Sequence, residues 1–246
     1  AICLRILFLS AIPNLSDDVY RFIWDGQLSY IGINPYTHTP EHFVDNFPTA
    51  LHQELYPLLN SPAYYSVYPP VLQLHFALAS IFTGSILTNT VFLRLLVIGV
   101  DIISITLLRS LLRHFRMKET PALLYALNPL VIIELTGNLH TEVYMIFFCL
   151  LTVWWIVQRI PITGLAYAAA VLTKLWPVLF LPFMLRHKNW QQTSAFLLTG
   201  GLTGSMLLLA FYSPDMLYNI KQSIDLYLLK FEFNGSLYYL MRYIGF

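Results

Sequence analysis

The fold is decided by residues 89–112, which read NTVFLRLLVIGVDIISITLLRSLL. The run is apolar over most of its length, and it exceeds the roughly 20 residues that an α-helix needs to cross the hydrocarbon core of a bilayer. We therefore predict a transmembrane helix here. The run also carries Arg94 and Asp101 two turns apart, which we interpret as structural groups that are paired within a helical bundle.

Four further apolar runs predict additional spans. They cover residues 122–136, 143–157, 163–185 and 193–212. The third run is interrupted by Lys174 and Pro177, so it predicts either one kinked span or two short helices that meet near Lys174. Residues 71–86 are apolar but short, and they predict either a span or a helix that lies in the membrane interface.

Composition excludes a soluble domain. Hydrophobic residues make up 57% of the 246 residues and charged residues only 11%, whereas soluble domains carry roughly 25% charged residues. The net charge of +1 gives no reason to expect a nucleic-acid partner. The absence of a cysteine–histidine cluster rules against a structural zinc site, and we assign no metal-ligating residue. We predict an all-α, polytopic transmembrane protein: a single membrane domain over residues 1–246, whose two ends both cut through apolar runs.

The charged residues predict an orientation, because positively charged loops stay in the cytoplasm. Segment 14–68 carries six acids and a single Arg21, so it is predicted to be the first outer, non-cytoplasmic loop. Lys174 would then lie at the outer tip of a helical hairpin. The basic residues of the predicted cytoplasmic loops are Arg109, Arg113, Arg116, Lys118, Arg159, Arg186 and Lys188.

The 14–68 segment begins with an acidic pair. Ser16 is expected to cap a helix whose first turn holds Asp17 and Asp18. Two carboxylates at a membrane–water boundary can supply a general base or hold a cation. The alternative is helix capping with ordinary surface charge, and these residues alone do not decide between the two.

The same predicted helix carries further polar and aromatic groups. Asp18, Arg21 and Asp25 fall at helical spacing on one face. Trp24 could pack on the apolar face of a sugar, or it could anchor the helix in the membrane interface. Downstream, Tyr65 and Tyr68 belong to an aromatic run that ends in Pro69-Pro70, which also suits an interfacial belt before a helix that begins at proline.

Two later segments could contribute to a site. His140 and Glu142 lie in a polar loop between apolar runs, where they could bind sugar hydroxyls or assist proton transfer, or simply form a solvated turn. Lys174, in an apolar hairpin, needs an anionic partner, which could be a phosphate or a carboxylate such as Glu134. Arg242, which follows Phe233-Asn234-Gly235-Ser236, could be a second phosphate contact or an interfacial arginine.

Residues 16–26, SDDVYRFIWDG, resemble the first outer loop of GT-C glycosyltransferases. They are most similar to mannosyltransferases that use polyprenyl-phosphate mannose. Weaker matches follow in the order that the family shows. They are Gly32-Ile33-Asn34-Pro35-Tyr36, Tyr68-Pro69-Pro70, the loop with Asn138, His140 and Glu142, and Thr173-Lys174 followed by Pro177.

The resemblance implies a multi-span helical fold with amphipathic helices in the outer loop, in a bacterial inner membrane with the active site on the outer face. It implies inverting transfer of a sugar from a polyprenyl phosphate to a glycan or glycolipid acceptor, with no cofactor beyond a weakly bound divalent cation. Asp17 or Asp18 would deprotonate the acceptor hydroxyl, while Lys174 and Arg242 would stabilise the leaving phosphate. The remaining substrate contacts would come from Arg21, Trp24, Asp25, Asn34, Tyr65, Tyr68, His140 and Glu142. Glu142 departs from the shorter Asp or Asn expected there.

Two other classes of protein compete with this interpretation. A transporter or flippase for a lipid-linked saccharide would place polar groups at the bilayer midplane and tends to show internal repeats. A non-catalytic assembly subunit would not need paired carboxylates at a cavity mouth. The sequence shows no evident repeat and no nucleotide-binding signature, and its acids concentrate in one segment, which favours the glycosyltransferase.

Overall fold

The secondary structure is helical throughout the residues that the computed structural model describes, which are 1–82, 84–186, 189–229 and 236–245, with loops and turns between the helices. No strand occurs in these ranges, and the predicted all-α class is confirmed. The α-helices are α1 Ile2–Ile6, α2 Asp18–Tyr30, α3 Ala50–Leu55, α4 Pro70–Ala79, α5 Ile86–His114, α6 Ala122–Ala126, α7 Glu142–Val157, α8 Thr163–Val171, α9 Leu181–Leu185, α10 Trp190–Ala210, α11 Met216–Leu229 and α12 Ser236–Ile244.

Two of these helices, α5 and α10, are long and apolar enough to cross a membrane. Helix α5 begins where the Ser85 side chain accepts a hydrogen bond from the Thr88 amide, and its 29 residues extend about 44 Å at 1.5 Å per residue. A π-helix, Val131–Gly137, and α7 form a third candidate span if the pair is counted as one. The chain is therefore an integral membrane protein with more than one candidate span.

The predicted span over residues 122–136 is wrong as a single helix. Helix α6 ends at Ala126, and the π-helix starts only at Val131. Pro129 supplies no backbone donor at this step, and the Asn128 side chain accepts the Leu130 amide at 3.0 Å instead. The π-helix then meets α7 at an angle of 111°, so this part of the chain bends sharply.

The 163–185 run adopts the second of its two predicted forms. Helix α8 ends at Val171, and a 3₁₀-helix begins only at Trp176. Pro177 and Pro182 lie near the starts of the two short helices that follow, where proline is tolerated. Lys174 consequently lies in the break.

Helix α4 is too short to be a span. Its 10 residues rise about 15 Å, half of the roughly 30 Å of the hydrocarbon core. It packs instead on α2, where the rings of Phe22 and Phe76 stack with centroids 4.6 Å apart. Gly26 lets the two helices approach, because a Cβ at this position would lie 2.4 Å from the Phe76 carbonyl oxygen.

Arg94 and Asp101 are both fully buried, but they are not paired with each other. Arg94 donates three hydrogen bonds to backbone carbonyls. Asp101 pairs with Arg5 of α1 and accepts a hydrogen bond from Tyr125 at 2.7 Å. Both groups are structural, as interpreted, but they join different elements. The carbonyls that accept hydrogen bonds from Arg94 belong to Leu9, Thr136 and Gly137.

Close packing of α8 on α10 depends on Gly164. A Cβ there would lie 2.0 Å from the Phe196 carbonyl oxygen, which is backbone and cannot move aside. We expect Gly164→Ala to destabilise the bundle by about 1–3 kcal/mol through overpacking, measured as a lower thermal unfolding temperature in detergent. Gly201→Ala on α10 is the matched control, because no atom lies within 4 Å of that added Cβ. Equal unfolding temperatures for the two variants would contradict the packing assignment.

A second expectation concerns acid and the buried His52. Its ring packs edge-on against Trp24 with centroids 4.6 Å apart, and burial lowers the pKa of His52 to about 4. In the unfolded segment a histidine protonates near pH 6.5, so protonation favours unfolding below that pH. The contribution of the neutral, buried His52 to the free energy of unfolding is therefore complete above about pH 6.5. It is lost progressively as the pH falls towards 4, by at most about 3 kcal/mol.

We expect protease cleavage within residues 40–60 to accelerate between pH 7.5 and pH 5. His52→Phe keeps an aromatic ring but cannot titrate, so cleavage of this variant should depend much less on pH. The same pH dependence in both proteins would rule out His52 as the group responsible.

Candidate active site

The candidate site is a cavity of about 1290 Å³. Its wall combines the first turns of α2, the chain that enters α4, the turn before α7 and the break after α8. These segments are far apart in sequence, and each brings at least one polar or aromatic group. Five of the predicted catalytic and substrate-binding residues line the cavity: Asp18, Tyr68, His140, Glu142 and Lys174.

Of the two acids Asp17 and Asp18, Asp18 lines the cavity. Helix α2 begins at Asp18 with Asp17, not Ser16, as its N-cap, and the Ser16 hydroxyl accepts the Asp18 amide at 3.2 Å. One carboxylate oxygen of Asp18 accepts a hydrogen bond from the Asn60 side chain at 3.1 Å. Asp17 is exposed and does not belong to the cavity wall, so the geometry favours Asp18 of the two.

Lys174 finds its carboxylate partner in Glu142 rather than in Glu134. The Lys174 ammonium and the Glu142 carboxylate form an ion pair at the cavity surface. Glu142 lies in the first turn of α7, where the helix dipole favours a negative charge. Both side chains remain partly exposed, at 40% and 34%, so a ligand that enters the cavity can reach the cation.

His140 lies beside the carboxylate of Glu134. Its Nδ1 is 3.3 Å from Oε2 of Glu134, and the Asn138 side chain donates to the same oxygen at 3.2 Å. The imidazole is 37% exposed and lines the cavity, whereas Glu134, 31% exposed, is not part of the cavity wall.

Tyr68 lines the cavity through packing that begins at the α2–α4 contact. Its ring meets Phe22 and Phe76 edge-on, with centroids 5.1 and 5.5 Å away. Its carbonyl oxygen accepts a hydrogen bond from the Tyr36 hydroxyl. Both the ring and the backbone carbonyl of Tyr68 are therefore held against the body of the protein.

Arg21 and Asp25 are not at the cavity surface. They form a buried ion pair at 2.9 Å, with side chains 4% and 0% exposed. Arg21 also donates to the carbonyls of Ser61 and Tyr64 at 3.2 and 3.0 Å. These contacts fix the chain that leads to Tyr68, so the geometry favours a structural role, and direct substrate contact stays a prediction.

Asp25 and Trp24 anchor the same segment from within. Asp25 accepts hydrogen bonds from Ser66 and from Gln73, the latter at 3.0 Å. Trp24 is fully buried, so its ring reaches neither the cavity nor a membrane interface. Its aromatic neighbours are Phe43, Phe47, His52 and Tyr56.

Three other predicted contacts lie outside the cavity wall. Asn34 donates to the Phe211 carbonyl at 2.7 Å and thereby ties the 14–68 segment to the end of α10. Tyr65 is half-buried, and Arg242 is exposed on α12. Substrate roles for these residues stay predictions, and residues 233–235 before α12 lie outside the described ranges.

Sequence reasoning missed two groups, one in the cavity wall and one that contacts Asp18. Trp176 lines the wall and is 65% exposed, which leaves an aromatic face available to a sugar. Its position directly after Lys174-Leu175 was a usable signal. Asn60, which positions Asp18, gave no signal, because the contact joins residues 42 positions apart.

The cavity thus combines a carboxylate that can accept a proton, a lysine that can bind an anion and an imidazole that can accept a proton or bind an anion. No group of three or more His, Cys, Asp and Glu side chains that could hold a metal ion occurs in the described parts of the chain. Whether a divalent cation is needed stays a prediction.

The buried Arg21–Asp25 pair predicts a large mutational effect. Asp25→Asn leaves an uncompensated buried guanidinium, and we expect a loss of about 3 kcal/mol in the stability of the 14–68 segment, measured by faster amide hydrogen exchange there. Asp45→Asn, an exposed acid of the same segment, should change exchange little. Similar exchange rates in the two variants would show that the buried Arg21–Asp25 pair contributes nothing to the stability of the 14–68 segment.

Comparison with known proteins gives the family. Residues 6–188 match the family described as alpha-(1→6)-mannopyranosyltransferase, N-terminal domain. The alpha-(1→6)-mannopyranosyltransferase A of Mycobacterium tuberculosis is 26% identical over 206 residues, which cover 79% of this chain and 39% of that protein. No solved structure matches. With most of its length inside the family match, the chain belongs to the alpha-(1→6)-mannopyranosyltransferase N-terminal domain family.

Proposed function

We propose that the chain is the site-bearing part of a membrane glycosyltransferase. It transfers mannose from a polyprenyl-phosphate donor to a hydroxyl of a glycan or glycolipid acceptor, with inversion at the anomeric carbon. Membership of the mannosyltransferase family supports the sugar and the reaction class. Because the chain spans 39% of the length of its relative, the activity assigned to the whole protein is part of the proposal.

The observation that carries this proposal is the composition of the cavity. A carboxylate from α2, an imidazole from the turn before α7 and an ammonium from the break after α8 all face one volume of about 1290 Å³. That volume exceeds the 300–1,000 Å³ usual for a small-molecule site, as suits a donor sugar phosphate together with an acceptor sugar.

Asp18 serves as the general base. Its carboxylate removes the proton of the acceptor hydroxyl, whose oxygen attacks the anomeric carbon of the donor while the polyprenyl phosphate leaves from the opposite face. The hydrogen bond from Asn60 orients the carboxylate. Asp17 is the alternative base, one residue earlier at the helix N-cap.

Lys174 meets the leaving phosphate. Its ammonium is paired with Glu142, and a phosphate that enters the cavity competes for the same cation. The phosphate carries more negative charge as the glycosidic bond breaks, so a fixed cation stabilises the transition state more than the ground state. The exposed face of Trp176 supports the sugar ring.

The charge distribution supports a cavity on the non-cytoplasmic side. Glu142 of the cavity begins α7, and the basic Arg159 follows the end of the same helix. The 16 residues of α7 separate these two points by about 24 Å. Since positively charged loops remain cytoplasmic, the cavity opens on the opposite face, which in a bacterium is the outer face of the inner membrane.

The transfer assay tests the base. We expect Asp18→Asn to lower mannosyl transfer from radiolabelled polyprenyl-phosphate mannose at least about 100-fold in membranes that contain the full-length protein. Asp45→Asn, with the same chemical change at an exposed acid of the same segment, should retain wild-type transfer. Wild-type activity in the Asp18→Asn variant would refute Asp18 as the base, and transfer from glucose but not mannose donors would refute the sugar.

A further inference from the structure

Glu134 is a carboxylate near the cavity that the proposed mechanism does not use. It belongs to the π-helix Val131–Gly137, an uncommon form that tends to occur at functional sites. The chain then turns through Leu139, whose φ of 60° is unusual for a residue with a branched side chain. Such strain persists only where surrounding contacts enforce it, and it occurs often at active sites.

The backbone of this turn is held without the Glu134 side chain. The Asn138 amide donates to the Ile133 carbonyl at 2.8 Å, and the His140 amide donates to the Glu134 carbonyl at 3.0 Å. Arg94 binds two carbonyls at the end of the π-helix. The carboxylate of Glu134 is therefore available for a task other than maintaining the fold.

That carboxylate is directed at a functional side chain. Its Oε2 accepts a hydrogen bond from the buried Asn138 amide group at 3.2 Å and lies 3.3 Å from Nδ1 of His140. A carboxylate beside one ring nitrogen of a histidine favours the proton on that nitrogen and leaves the other as an acceptor. The His140 ring itself lines the cavity.

We propose that Glu134 is a positioning residue that holds the proton of His140 on Nδ1, so that Nε2 presents an acceptor to a hydroxyl of the bound sugar. Asn138 fixes the carboxylate, the carboxylate fixes the imidazole, and only the imidazole faces the cavity. The orientation of His140 stands on geometry alone, whereas its effect on transfer rests on the proposed function.

The tautomer can be measured without any activity. In the purified full-length protein labelled with ¹⁵N-histidine, the His140 signals are assigned by their loss in His140→Gln. We expect Nδ1 to be the protonated nitrogen in the wild type and the proton to shift towards Nε2 in Glu134→Ala, which removes the acceptor. An unchanged tautomer in Glu134→Ala would overturn the proposal.

A double-mutant cycle then distinguishes positioning from a merely structural role. We expect Glu134→Gln to lower mannosyl transfer about 10-fold or more, which is the usual effect of losing a residue that orients a functional histidine. In a His140→Ala background the same substitution should have no further effect. Additive losses, or a loss matched by a fall in unfolding temperature, would overturn the proposal. Glu54→Gln, at an exposed acid, is the control for the chemical change.

The tautomer measurement and the transfer assay distinguish the positioning role of Glu134 from the proposed function. If the wild-type protein transfers no mannose, the proposed function fails, while the tautomer result still decides whether Glu134 positions His140. If transfer occurs but Glu134→Gln is fully active, the proposed function stands and the positioning role is wrong.

Discussion

Helices that break inside an apolar bundle must satisfy their freed backbone groups within the protein, because lipid offers no hydrogen-bond partners. This constraint governs the site. The chain breaks before α7 and again after α8, and both breaks reach the cavity. At the first, the buried Arg94 binds the carbonyls of Thr136 and Gly137. At the second, the Leu172 carbonyl accepts the Val71 amide of α4 at 3.4 Å.

The breaks place polar side chains where a continuous helix could not. Lys174 in an unbroken span would face lipid or a neighbouring helix at substantial cost. In the break it reaches Glu142, the first residue of α7, at the point where that helix bends away from the π-helix. His140 is likewise directed at the cavity by the strained turn at Leu139. The backbone interruptions therefore create the charged wall of the cavity, and the apolar helices around them supply the stability.

The 14–68 segment supplies another part of the cavity wall, and buried polar contacts fix it in place. Arg21 and Asp25 connect α2 to the chain around residues 61–66, and this holds Tyr68 at the cavity. Sequence spacing correctly paired Arg21 with the face of Asp25, because i and i+4 are neighbours on any helix. The spacing could not reveal that the pair is buried, since burial depends on residues about 40 positions away. The same limit concealed Asn60 beside Asp18, and it made Glu134 the candidate partner of Lys174 where the structure has Glu142.

The sequence by itself determined that this chain is an all-α membrane protein and that its polar residues concentrate in a few segments. Composition and the length of apolar runs suffice for that, because transfer into lipid is a property of each segment alone. Only the tertiary structure decided where the apolar runs break and which of the two acids, Asp17 or Asp18, faces the cavity. It also decided that His140, Glu142 and Lys174 share that cavity. Those outcomes depend on contacts between distant segments, and the free energy of such contacts appears only when the segments are packed together.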